Sequence, residues 1–277
     1  MESRLLHVFK NTPLGRETLL QSAYFCKVIG ASLVIYVPKF LKFLMYFEND
    51  VVQVDMDDAY LTSSETARAH AVEIVRSQGL PEPAFIEPKN FTAPLLPDIP
   101  VNFGFMCCSH AISAFSSKIG LGYIGLRVRR IIRSAKFPVL IAGAAYKPWA
   151  SVAVLFGGGG HTAVRAFRLG LRISRLSGLP MDVFTLPENQ TAEDYRRILE
   201  AENLGDEMNK QVRRWEIFDS GDLAINLYRV PHDALVVMGS PGHGLIREML
   251  FGSVLEKVRS VLPNNFLIAG PKYKSSM

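Results

Sequence analysis

The feature that most constrains this chain is an internal repeat. Gly125–Gly143 (GLRVRRIIRSAKFPVLIAG) lies over Gly252–Gly270 (GSVLEKVRSVLPNNFLIAG) without a gap, and both stretches end in Leu-Ile-Ala-Gly, 127 positions apart. That offset is the length of a small domain, well above the roughly 20–50-residue period of stacked repeats. The chain therefore reads as two copies of one domain, 1–146 and 147–277, divided where Lys147 and Pro148 interrupt an apolar run. With 277 residues, 48% of them hydrophobic, each half can bury its own core.

In the second copy, apolar runs at Val152–Phe156, Val183–Leu186, Trp215–Phe218, Ala234–Met238 and Phe266–Ala269 read as strands. Between them, Ala166, Leu169, Ile173 and Leu176 recur at helical spacing, and Thr191–Asp194 forms a helix-start box ahead of Tyr195–Leu199. Continuous apolar strands alternating with helices predict a parallel sheet covered on both faces, a doubly wound α/β domain. Any ligand then belongs at the strand C-termini. The first copy starts alike, with Leu5–Phe9, a helix over Pro13–Ile29 and Leu33–Val37. It then departs through an insertion at Phe40–Tyr60, where Val51–Asp57 alternates like a strand, before a helix opened by Thr62–Glu65. Proline-rich Pro88–Pro100 stands where the second copy has room for a helix. The two Leu-Ile-Ala-Gly strands would be bare edges if unpaired, so they are expected to pair as an internal pseudo-dimer.

Composition narrows the function. The net charge of +5 is partly local, since Arg127, Arg129, Arg130 and Arg133 share one segment that reads as a solvated helix face. Asp55, Asp57 and Asp58 read as a solvated acidic run. No long basic face with interleaved aromatics points to nucleic acid. The longest apolar region, Pro138–Gly160, is broken by Lys147, Pro148 and four glycines, so no membrane span is expected. The N-terminus lacks a signal-peptide pattern, and Cys26, Cys107 and Cys108 lack metal-ligand spacing. Reduced thiols in a cytoplasmic protein are the expectation.

One constellation carries chemistry. After the fourth strand of the second copy comes Gly239-Ser-Pro-Gly242, then nine residues, then Gly252-Ser253 opening a helix. Glycines let backbone amides approach oxyanions, and a helix N-terminus adds unpaired donors with partial positive charge. A Walker lysine is absent. The competing account is a plain turn followed by a capping box of Ser253 and Glu256. His243 is a lone loop histidine, and no nucleophile with a paired base or carboxylate dyad accompanies it.

This arrangement closely resembles the signature of universal stress proteins that bind ATP, continuously over Asp233–Pro271 and more loosely over the rest of both copies. The resemblance implies an adenine-nucleotide alpha-hydrolase-like, Rossmann-type α/β fold, with two tandem, mostly parallel five-stranded sheets paired through their last strands. It implies ATP or AMP as ligand, with Mg²⁺ allowed, and a stress-response regulator with at most weak hydrolysis rather than a true enzyme. Gly239, Gly242, Gly252 and Ser253 would hold phosphates and ribose, with the backbone of His243 and Val254 close. Leu186 would lie near the adenine. Gly158 and its neighbours stand where the family carries Asp-Gly-Ser, so that aspartate is missing. Relatives commonly dimerise, so a homodimer is allowed.

The first copy departs further. Aligning Asn102–Cys107 with the fourth strand puts Cys108 at the Gly239 position, with 17 positions from Cys108 to Gly125 against 13 from Gly239 to Gly252. Leu126 replaces Ser253, and Lys10-Asn11-Thr12 forms the first loop. Two alternatives stand beside the nucleotide reading. One is a nucleotide-free dimerising adaptor; the other is an adenylyl-transfer enzyme, on a faint likeness of Gly157–Thr162 to an ATP loop.

Overall fold

The computed structural model describes residues 3–55, 64–93, 96–109, 124–157, 161–185, 191–219, 221–240 and 251–275. The first half runs β1 (Arg4–Val8), α1 (Pro13–Ile29), β2 (Ser32–Tyr36), β3 (Lys42–Phe47), β4 (Asp50–Asp55), α2 (Ser64–Ser77), β5 (Ala84–Phe85), β6 (Phe91–Ala93), β7 (Leu96–Ile99), β8 (Phe105–Cys108), α3 (Leu126–Ser134) and β9 (Val139–Ile141). The second runs β10 (Ser151–Phe156), α4 (His161–Ser177), β11 (Met181–Thr185), α5 (Ala192–Ala201), α6 (Gly205–Gln211), β12 (Val212–Ile217), α7 (Leu223–Leu227), β13 (Ala234–Gly239), α8 (Phe251–Val261) and β14 (Asn265–Ala269).

Local chemistry sets these boundaries. Helix α1 has proline at its first turn, and Thr12 accepts the Gly15 amide at 3.0 Å. It stops at Gly30, whose φ of 66° is the left-handed conformation glycine adopts without a Cβ penalty. Helix α5 opens with the expected box: Thr191 and Asp194 each accept the other's backbone amide.

All ten strands of the main sheet lie in the order β12-β11-β10-β13-β14-β9-β8-β1-β2-β5. Each half therefore repeats one order, and every pairing inside a half is parallel. The halves meet at β14 and β9, which are antiparallel, with Leu267 opposite Leu140. Those two leucines occupy the same place in the repeated sequence. The joint consequently turns about a local two-fold at that pair. The terminal glycines of the repeat explain themselves here: the Gly143 amide donates to Asn265 Oδ1 at 2.8 Å, and a Cβ on Gly270 would stand 2.0 Å from the Ile132 carbonyl oxygen. The connection to β10 is pinned to α1, through Tyr146 N–H to Glu17, Lys147 N–H to Gln21 and Trp149 N–H to the Tyr24 hydroxyl.

One core fills each face of the sheet. Helices α1, α2, α4 and α5 cover Leu5, Ile35, Val154 and Val237 on one side. Helices α3 and α8 cover Leu6, Val139, Val236 and Ile268 on the other, joined by the insertion. That insertion is a second sheet, β4-β3-β7-β6, which packs Phe43, Met45, Val52 and Val54 into the second core. The proline-rich stretch thus supplies β6 and β7 rather than a helix.

Three expectations need correction. The arginine segment is a solvated face only at Arg133: Arg127 donates to Asp55 at 2.9 Å, Arg130 to Asp50 at 2.7 Å, and Arg129 pairs with Glu256 of the second half. Asp55 likewise is an ion-paired anchor of the insertion, while Asp57 and Asp58 lie outside the described residues. Finally, β8 begins at Phe105, and Cys108 opposes Ile141 just as Met238 opposes Ile268. The residue equivalent to Gly239 is therefore Ser109, one place later than the sequence alignment put it.

Candidate functional site

In each half the chain winds one way from its central strand and then reverses. From β10 it passes through α4 to β11 and β12 on one side; β13 and β14 then lie on the other. At such a reversal the loops leaving the two adjacent strands diverge, opening a crevice at their C-terminal ends. In the second half that reversal falls between β10, which ends at Phe156, and β13, which ends at Gly239. Segments 157–160 and 240–250 leave from it and lead into α4 and α8, so the glycine-rich loops of both strands start at one edge of the sheet.

Gly239 closes β13 in register with Ala269. A Cβ there would stand 2.4 Å from the Thr162 carbonyl oxygen in the first turn of α4, so glycine is what lets that helix approach the strand. Ser240 follows, buried, its amide donating to the Ala269 carbonyl at 2.8 Å. Gly252, Ser253 and Val254 fall in the first turn of α8, which begins at Phe251. Gly158, Leu186, Gly242 and His243 lie outside the described residues. Sequence reasoning missed Thr162, which only the approach of α4 to β13 brings against Gly239.

Glu256 reaches across the joint. Its carboxylate accepts the Ile124 amide at 3.2 Å and pairs with Arg129, both in the first half. One turn on, the Arg259 guanidinium lies 5.8 Å over the Phe266 ring, and burial pulls its pKa down to about 10 against the opposing charge of Glu256.

The equivalent crevice of the first half is built differently. Arg16 Nε donates to Asn11 Oδ1 at 3.0 Å, and the Asn11 amide lies 2.9 Å from His70 Nδ1. The Lys10 carbonyl oxygen lies 1.9 Å from where a Cβ on Gly15 would sit, so loop 10–12 folds tightly over the start of α1. Among the described residues, no group of three or more His, Cys, Asp or Glu could hold a metal ion.

No protein-family model and no curated protein sequence matches the chain. Solved structures do. A universal stress protein from Archaeoglobus fulgidus DSM 4304 superposes with a TM-score of 0.63 at 16% identity, covering 96% of this chain and 98% of that one. The fold is that of the universal stress proteins. A Pseudomonas aeruginosa UCBPP-PA14 protein with the same family description gives 0.56 at 14% identity, covering 98% and 94%. The cytoplasmic domain of a prokaryotic cation chloride cotransporter gives 0.52 at 9% identity, covering 97% and 95%. Function therefore has to be argued from the site rather than from the fold.

Proposed function

We propose that this chain is a cytoplasmic tandem universal stress protein, divided at 146/147. It holds an adenine nucleotide, ATP or AMP, in its second half and acts as a stress-response regulator rather than a true enzyme. The observation that carries this reading is that β10 and β13 lie side by side and end together, at Phe156 and Gly239, where the sequence continues into a run of four glycines and a Gly-x-x-Gly stretch ahead of Gly252-Ser253. Main-chain amides without side chains in front of them, beside a positive helix end, suit phosphate oxygens. In the first half, Lys10-Asn11-Thr12 stands where the second has glycines, and Asn11 is hydrogen-bonded to Arg16 and lies against His70, which supports a single nucleotide per chain.

A nucleotide-free adaptor is the second reading, favoured by Gly239, whose packing against Thr162 accounts for that glycine without a ligand. A thermal shift series separates the two. Ligand that binds only the folded chain stabilises it by about 2.7 kcal/mol at a hundredfold excess over its dissociation constant. ATP or AMP should raise the unfolding midpoint; no rise up to millimolar nucleotide favours the adaptor.

A further inference from the structure

At a joint with two-fold symmetry, a residue near the axis meets its own equivalent. Leu140 and Leu267 do so in the strand pair. Arg129 and Glu256, also 127 positions apart, do so between α3 and α8. Here the equivalents differ in sign. The Arg129 guanidinium donates to the same Glu256 oxygen that accepts the Ile124 amide, and the two side chains are only 23% and 29% exposed. Two copies of the first half, joined through this surface, would set Arg129 against Arg129. Two copies of the second would set Glu256 against Glu256. Only unlike halves bring opposite charges together, and like charges in a partly buried contact are strongly disfavoured. The neighbouring arginines cannot take over the role, since Arg127 is held by Asp55 and Arg130 by Asp50.

We propose that Arg129 and Glu256 form a selector that makes the second half, and not a second copy of the first, the partner of the α3–β9 surface. The chain then closes on itself. The connection from β9 to β10 favours the same outcome, because Tyr146, Lys147 and Trp149 fasten it to α1 and so deliver the second half beside the first. This inference does not rest on nucleotide binding.

The test is a charge-swap cycle on the full chain: Arg129→Glu, Glu256→Arg, and the two combined. Each single reversal puts like charges on the axis and removes the preference for self-closure. Each should lower the unfolding midpoint by about 2–4 °C and broaden sedimentation profiles toward larger species as concentration rises. The combined variant should return to within about 1 °C of the parent and recover its sedimentation profile. If either reversal is insoluble, Arg129→Gln and Glu256→Gln supply the single legs. Single variants indistinguishable from the parent, or a combined variant as impaired as the sum of the singles, overturn the proposal.

Discussion

His7 shows what burial does to a single titratable residue. It sits in β1, its Nδ1 2.8 Å from Ser22 Oγ, which itself donates to the Thr18 carbonyl at 3.2 Å. Either group can donate in that bond, according to which ring nitrogen carries the proton. Nε2 has no partner among the described residues, and burial brings the imidazole pKa down from 6.5 to about 3. Between those values the unfolded chain binds a proton the folded chain refuses, so stability rises with pH across the window and is complete above it. Each pH unit below 6.5 should cost on the order of 1.4 kcal/mol until pH nears 3. The unfolding midpoint should fall accordingly on acidification, and His7→Phe should flatten the slope; an unchanged slope assigns it elsewhere. Asp50 acts at the acid end, because its bonds to Ser134 and Arg130 hold its pKa below the usual carboxylate value. Its contribution is present above that usual value and is lost as pH falls from there through its own lower one.

Among elements, the approach of α4 to β13 is the tightest constraint near the candidate site. Gly239→Ala puts a methyl 2.4 Å from the Thr162 carbonyl, so the first turn of α4 must move. A loss of about 1–3 kcal/mol without any ligand is expected, read from urea unfolding; a neutral result would show that α4 can yield there. Gly239 is for this reason a poor probe of nucleotide binding, and Gly242 and Gly252 are better ones. The strands were legible in the sequence wherever burial on both faces made them continuously apolar, as in β10 and β13. They were less legible where that pattern breaks. Strand β12 begins at Val212, before the expected Trp215, because Arg213 and Arg214 at this sheet edge look unlike strand residues. Both face the fully buried Asp182, with Arg213 bonded to its two oxygens at 3.0 and 2.6 Å. A charged edge of this kind also discourages pairing with other chains. The role of the arginines in α3 was hidden for a related reason, since their partners lie 72 to 127 positions away and no local pattern announces them.

For the whole molecule, the repeat foretold two like units and the strands that join them, because a duplicated edge strand leaves few other ways to cover itself. The glycine spacing marks a candidate loop in the sequence, whereas the packing role of Gly239 depends on a contact between segments 77 positions apart. The proposed function makes the molecule asymmetric: two similar halves, one nucleotide. Calorimetric titration of the full chain with ATP, repeated with Gly242→Val and Gly252→Val, addresses it most directly. The prediction is one site per chain, abolished by either substitution while the unliganded unfolding midpoint stays near that of the parent. Two sites per chain, or binding that survives both substitutions in folded protein, would contradict it.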